Sequence, residues 1–421
     1  MVILLSRVSS HEHLQKVCIM DYPTLFVGID VSKHKHDIAI LNGHKQLVFK
    51  PFVITNDYQN YQELLHKFDS LSEKYHTKKF CIGLEATGDY WKNIYYFLKR
   101  QSNPFGVTVI NPVQTKAFTK TELRRAKTDP ISAKDIALFM AEKQPPVSFD
   151  RPAVFDIIKD IDRQIYQFKK QQTMTANKLR IELTKVAPEI EKAINKITGQ
   201  QILALLRHYP TAEAIANASV DKMRAIRYGK KQWALPLPFV SKIKALAQRS
   251  IAYKTGTGSG CVVQSLARSI EHIQDEVQLL KRRSVELYHT VKEHQSLLAT
   301  IPGITHETAI VLEAYIGDVN RFSHMKKFVA YFGMNPTVNQ SGKSKRASHL
   351  QKKGSPIVRH KLFLATLCMI NRKIAPIYPY YRRLVDSGKP KLVAVGAAMR
   401  KLLVIIYFML KNNSTFKPNN Y

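Results

Sequence analysis

Apolar residues fall in short unbroken blocks through the first third of the chain and at helical spacing through the rest. Leu25–Ile29, Asp37–Leu41, Leu47–Val53, Phe80–Leu84 and Val107–Ile110 are such blocks, each bounded by polar residues, and each predicts a strand. Tyr58–Ser72, Asp89–Lys99 and Ala133–Glu142 instead space their apolar residues by three and four and predict helices. Three strands in succession, then strands alternating with helices, predict a mixed sheet covered by helices. That is an α/β domain whose strand order suits a ribonuclease-H-like fold.

Beyond residue 151 the strand blocks stop. Val263, Leu266, Ile270, Ile273, Val277 and Leu280 alternate three and four, and Leu287, Val291 and Leu298 continue the register with Ser284 and His294 as breaks. This pattern predicts a coiled-coil seam. Ile157–Leu183 supplies its partner helix, either as a dimerisation arm or as a hairpin within one chain. Tyr253–Gly260, rich in Gly, Ser and Thr, predicts a loop. Further on, Ile301-Pro-Gly-Ile-Thr precedes an apolar helical run ending at Ile316-Gly-Asp. This helix-hairpin-helix pattern would aim backbone N–H groups at a phosphate. The expected division is an N-terminal extension over 1–22, the α/β domain over 23–147, a helical coiled-coil region over 148–298 and a mainly α C-terminal domain over 299–421.

Charge changes the picture. The chain holds 65 Lys and Arg against 32 Asp and Glu, a net charge of +33. A balance so basic favours a polyanionic partner, nucleic acid above all. From Val319 to Tyr421, Asp386 is the only acid against 20 Lys and Arg. That region should track a phosphate backbone, with Lys343, Lys345, Arg346, Lys352, Lys353 and Arg359 as candidate contacts. Tyr378, Tyr380 and Tyr381, beside Arg382 and Arg383, suit base stacking or a core equally well. Cys18, Cys81, Cys261 and Cys368 form no CxxC pair and suggest neither a zinc site nor a disulfide framework. Cys81 and Cys368 lie in apolar runs as core thiols, and a reducing, cytoplasmic setting fits. The longest apolar run, Leu402 to Leu410, is about half a membrane span, so no membrane insertion is expected.

Four acids fall at informative places. Asp30 ends the first strand, Glu85 ends the strand Phe-Cys-Ile-Gly-Leu, Asp129 precedes a helix and Asp135 lies inside it. Carboxylates at strand ends and a helix start can converge on one sheet edge. Such hard oxygen donors suit Mg²⁺ or Mn²⁺, which would stabilise the attacking and leaving oxygens of a phosphodiester. Singly, each acid is equally a turn residue, a cap or half of an ion pair, and Asp129 suits helix capping. Ser341 sits in the lysine-rich loop Gln-Ser-Gly-Lys-Ser-Lys-Arg. It is either an ordinary loop serine or a nucleophile flanked by cations.

Several short motifs act together. They are Val-Gly-Ile-Asp30-Val-Ser-Lys, Glu85-Ala-Thr-Gly, Lys-Thr-Asp129, Ile-Pro-Gly-Ile with the later Ile-Gly-Asp, and Tyr-Phe-Gly-Met-Asn-Pro with Gln-Ser341-Gly. Through them the chain, from Phe26 to about Ile370, resembles the insertion-sequence transposases that pair a RuvC-like acidic domain with a serine-bearing C-terminal domain. The pilin-gene invertases belong to the same group. The resemblance implies a DEDD acid set binding Mg²⁺ and a serine that links covalently to DNA. Asp30, Glu85, Asp129 and Ser341 fall on the family's first, second, third and serine positions. The fourth acid position, three residues after Asp129, is Ser132 here, followed by Ala133. Asp135, one helical turn on, is the nearest substitute.

The resemblance also implies partners. These are donor and target DNA, a structured guide RNA (a bridge RNA) and further copies of the chain, from dimer to tetramer, in the bacterial cytoplasm near the nucleoid. Two other readings stay open. One is a metal-dependent RuvC-like junction nuclease in which Ser341 is incidental. The other is a catalytically impaired nucleic-acid-binding relative, as the exchange at Ser132 allows.

Overall fold

The computed structural model describes residues 24–86, 88–101, 105–121, 132–148, 152–256, 258–335, 340–341, 344–345, 350 and 354–418. The chain divides into two compact units, Met1–Asp150 and Arg151–Tyr421.

The first unit is built on a five-stranded sheet of order β3-β2-β1-β4-β5. Its strands are β1 (Leu25–Val31), β2 (Lys35–Leu41), β3 (Phe52–Thr55), β4 (Phe80–Glu85) and β5 (Gly106–Ile110). β1, β2 and β3 pair antiparallel, whereas β1, β4 and β5 pair parallel, giving the expected mixed sheet. Both faces are covered, which is why β1 is apolar at nearly every position. Leu25, Val27 and Ile29 face one layer with α1 (Tyr58–Lys74) and α2 (Trp91–Lys99). Phe26 faces the other layer with α3 (Pro112–Thr121) and α4 (Ala133–Lys143). α1 starts where the Asp57 side chain accepts the Asn60 backbone N–H at 2.9 Å, and it buries Tyr61, Leu64, Phe68 and Leu71 on one stripe.

Two local expectations are corrected here. The third strand runs Phe52–Thr55, not from Leu47, which touches the sheet only through a single bridge to Leu41. The preceding residues are held in a turn, where the Asn42 side chain accepts backbone N–H bonds from His44 and Gln46. The polar helix α3 was not anticipated. Its signal is Asn111-Pro112, an Asx start in which the Asn111 side chain accepts the Val113 N–H at 2.9 Å.

In the second unit, α5 (Ala153–Val186) and α11 (Cys261–His289) lie antiparallel. Phe155 and Ile158 pack near Tyr288, while Leu179 and Leu183 share a cluster with Val263 and Ala267. The apolar stripe of α11 is thus occupied within the chain, as a helical hairpin. The buried residues are Val263, Ala267, Ile270, Ile273, Val277, Ser284 and Tyr288. Leu266 and Leu280 are only half-buried, and Val291 and Leu298 lie past the helix end. The register therefore drifts off strict heptads.

Five short helices fill the connection: α6 (Pro188–Ala193), α7 (Gln200–His208), α8 (Ala212–Asn217), α9 (Val220–Arg224) and α10 (Leu237–Ala247). A hairpin of β6 (Arg227–Tyr228) and β7 (Trp233–Ala234) joins them. The loop expected at Tyr253–Gly260 has no helix or strand among its described residues.

The remainder is α12 (His306–Ile316), α13 (Met325–Tyr331), the strand pair β8 (Gln340–Ser341) and β9 (Ser344–Lys345), α14 (Pro356–Asn371), α15 (Ile377–Asp386) and α16 (Lys391–Lys411). The element before the Pro302-Gly303 turn is a 3₁₀ turn, Leu297–Thr300, and not the α-helix that the helix-hairpin-helix pattern requires. Gly303, at φ +88°, presses the turn onto α14, where a Cβ would meet Cys368 Cβ at 2.8 Å. α16 is the one described helix long and apolar enough to cross a membrane, by length and composition. Leu402, Leu403, Ile405 and Ile406 are buried in a core with Phe328, Phe332, Leu362 and Met369. Tyr380 and Tyr381 pack partly buried against that core, with Arg383 and Lys401 over the Tyr380 ring. Cys81 and Cys368 are half-buried free thiols, less enclosed than expected, and Cys18 lies outside the described residues.

Candidate catalytic face of the mixed sheet

Strand alternation decides which acids meet. On β1, Phe26, Gly28 and Asp30 share the α4 face, because Val27 and Ile29 point to the α1 layer. Ile29 pairs with Leu84, so Asp30 and Glu85 come level at the C-terminal ends of two adjacent parallel strands, on one face. Asp30 pairs directly with Asp37 of β2, which therefore shares that face. Asp37 was read only as the start of a strand. Its place opposite Asp30 depends on strand pairing, which spacing alone does not reveal.

The local environments differ. Glu85 is buried, and its carboxylate accepts the Thr115 hydroxyl of α3 at 3.0 Å. Asp30 is half-buried. Burial, then the charges of Glu85 and Asp37, hold its carboxyl above the usual carboxylate range, while the Val31 N–H works against them. A cation at this face would relieve that crowding.

α4 is seated directly on these strands. A Cβ on Gly28 would lie 2.0 Å from the Ala133 carbonyl oxygen and 2.4 Å from the Ala137 nitrogen. The helix starts at Ser132 with a capping box. Ser132 Oγ accepts the Asp135 N–H at 3.3 Å, and Asp135 Oδ2 accepts both the Ser132 N–H, at 3.1 Å, and its hydroxyl, at 3.0 Å. Asp135 is buried in that role. Among the described residues, no three His, Cys, Asp or Glu side chains gather closely enough to hold a metal ion by themselves. Asp30 and Glu85 are oxygen donors of the right kind for a hard divalent cation. Asp129, expected to join them, lies outside the described residues.

Ser341 and Lys345 lie on the small antiparallel pair, where Ser341 pairs with Ser344 and Gln340 with Lys345. Lys343, Arg346, Lys352 and Lys353 lie outside the described residues. Arg359, on the first turn of α14, donates to the Gly354 carbonyl at 2.8 Å.

A transposase family model matches residues 27–188, which include the acid-bearing sheet except for Leu25 and Phe26. A second model, for the IS116/IS110/IS902 transposase family, matches residues 295–382, and the two together span more than half of the chain. The chain belongs to the IS110-type transposase family. Two relatives match nearly all of it. A pilin gene-inverting protein of Moraxella bovis is 25% identical over 392 residues, 93% of this chain and 97% of the relative. Its counterpart in Moraxella lacunata is 24% identical over 395 residues, again 93% and 97%. An uncharacterized 43.6 kDa protein of insertion element IS110 from Streptomyces coelicolor is 24% identical over 251 residues, 59% of this chain and 61% of the relative.

Proposed function

We propose that this IS110-type protein is a DNA transposase, or site-specific recombinase, of a bacterial insertion sequence. The observation carrying this reading is the level pairing of Asp30 and Glu85 on one face of a mixed sheet, within the segment matched by the transposase model. Ser341 Oγ attacks a scissile phosphodiester, an Oγ–P bond forms, and the deoxyribose oxygen departs with a proton. The phosphoserine keeps the bond energy, so a second deoxyribose hydroxyl can displace Ser341 and rejoin the strands without a nucleotide cofactor.

Asp30 and Glu85, with Asp129 and Asp135, are the oxygen donors for Mg²⁺ or Mn²⁺, which when bound offsets charge on the reacting phosphate. Among the described donors, Asp30 and Glu85 suit this role best, because Asp135 is committed to its capping box. Lys343, Lys345, Arg346, Lys352, Lys353 and Arg359 neutralise DNA phosphates, with an affinity that falls as salt rises. The helical stretch 148–298 mediates assembly, from dimer to tetramer, and a structured guide RNA selects donor and target DNA. The protein works in the bacterial cytoplasm, at the nucleoid.

The test is a denaturing-gel assay for a protein–DNA adduct on element ends with Mg²⁺. Wild type should give the adduct, and Ser341→Ala should give none. A Ser341→Ala protein that still cuts DNA is a junction nuclease, and the serine role is then lost. A wild type that neither cuts nor forms an adduct is a binding relative.

A further inference from the structure

A basic cleft of about 1030 Å³ opens in the second unit, within the stretch assigned above only to assembly. Its walls come from α5, α7, α10, α11 and the β6–β7 hairpin. Lys169, Lys196, Arg227, Lys230, Lys242 and Lys281 line it, and none of them forms a contact ion pair among the described residues. Arg207 does pair, with Glu271 at 3.5 Å, and Asp275 is the remaining acid of the lining. Lysines left unneutralised on several converging elements are the footprint of a missing polyanion. Lys169 shows the strain of that arrangement: crowding by protein atoms, then Lys281 and Lys361, hold its ammonium below the usual lysine range.

The cleft is not merely charged. Gln172, Gln200 and Gln278 line it with no side-chain hydrogen bond among the described residues, and an amide both donates and accepts. Tyr228 is held in the lining by the Gln201 amide, which donates to its hydroxyl at 2.9 Å. Across the hairpin from Tyr228, Trp233 is 58% exposed although it belongs to a strand. The turn between them reads Gly229-Lys230-Lys231-Gln232. Trp233 lies outside the cleft lining but pairs with Tyr228, which is in it, so its open indole offers a stacking platform at the rim. A duplex hides its base faces and offers little to such a ring or to the amides.

We infer that this cleft binds an unpaired nucleic-acid strand, whose phosphates lie against Lys169, Lys242 and Lys281 and one of whose bases stacks on Trp233. The inference is independent of the role given to Ser341. It places a second, non-catalytic nucleic-acid site in the helical middle of the chain.

The experiment uses the full-length protein with a fluorescent unpaired oligonucleotide, in ribose and deoxyribose forms, and the matching duplex. Binding is measured by anisotropy from low to high salt. The triple variant Lys169→Ala/Lys242→Ala/Lys281→Ala should weaken strand binding at least tenfold and flatten the log–log salt slope by about 2. Trp233→Ala should weaken it about tenfold with the slope unchanged. All four side chains lie at the surface of the cleft or hairpin, and unchanged thermal melting of the variants confirms their fold. Photo-cross-linking with a thio-substituted strand, followed by peptide mapping, should mark residues 227–234. Preference for the ribose or the deoxyribose strand identifies the source, and either supports the site. Unchanged strand affinity in both variants overturns it. So does an equal loss for the duplex, or displacement of the strand by polyglutamate as readily as by unlabelled oligonucleotide. The Ser341→Ala adduct assay fails or succeeds separately, so the two readings fall independently.

Discussion

Asp30 and Asp37 stand directly opposite each other across β1 and β2, on the face that also carries Glu85. Like charges opposed on neighbouring strands repel, and the raised Asp30 pKa carries contributions from both neighbours.

Asp30→Asn should therefore abolish DNA cutting yet stabilise the metal-free protein. The folded pKa of Asp30 lies above its ordinary 3.8, so its repulsion is fully felt above the raised value. It is relieved as pH falls toward the ordinary one. At this half-exposed site water screens much of the repulsion, so the gain at neutral pH should be a small rise in Tm, on the order of 1 °C. Differential scanning fluorimetry without divalent ions checks this, and a lower Tm for the variant would contradict the crowding.

Ser132→Asp puts an acid where the resemblance implies a fourth one, without removing the N-cap, since Asp caps a helix about as well as Ser. It also sets a second carboxylate against Asp135 in place of the hydroxyl that Asp135 now accepts. The variant should melt lower than wild type in EDTA, by about 1 kcal/mol, and recover in Mg²⁺. A Tm indifferent to Mg²⁺ in both proteins would remove this end of α4 from the metal site.

Gly28→Ala tests the seating of α4. The added methyl would meet the Ala133 carbonyl and the Ala137 nitrogen, which are backbone and cannot swing aside. A loss of at least about 3 kcal/mol is expected in urea denaturation, and a wild-type midpoint would show that the helix lifts freely.

His36 makes stability pH-dependent in the opposite sense from Asp30. Its ring is buried against Tyr61, with Nε2 2.9 Å from the Tyr61 hydroxyl and Nδ1 without a hydrogen-bond partner among the described residues. Burial lowers its pKa from 6.5, against smaller raising effects from Lys35, Asn56 and Asp37. The unfolded chain then binds the proton more readily, so this part of the stability is lost as pH falls below about 6.5. Wild type should lose more Tm between pH 7 and pH 5 than His36→Gln. Parallel curves would assign the pH dependence elsewhere.

Much of the sheet was legible because a strand buried on both faces must be apolar at nearly every position, as β1 is. α3 was not, because its starting cue, Asn111-Pro112, is local and its sequence is mostly polar. Asp30 and Glu85 were legible from their places at strand ends. Asp37 was not, since a residue's partner across a sheet is fixed by register and not by its distance along the chain. The apolar pattern found α11 and its partner helix over Ile157–Leu183, but not whether they pair within one chain, because the same stripe serves a neighbouring subunit or α5 equally well. The cleft escaped notice altogether, for its lysines are scattered from residue 169 to residue 281.

α16 supplies the centre of its core and is the most C-terminal helix described. It is made after α12, α13 and α14, whose apolar residues share that core. Until then Phe328, Phe332, Leu362 and Met369 pack on one another and on α12 without the apolar face of α16. The growing chain thus keeps sticky surface on show until α16 has been made. Its yield in a host cell should depend on holdase chaperones acting on the growing chain.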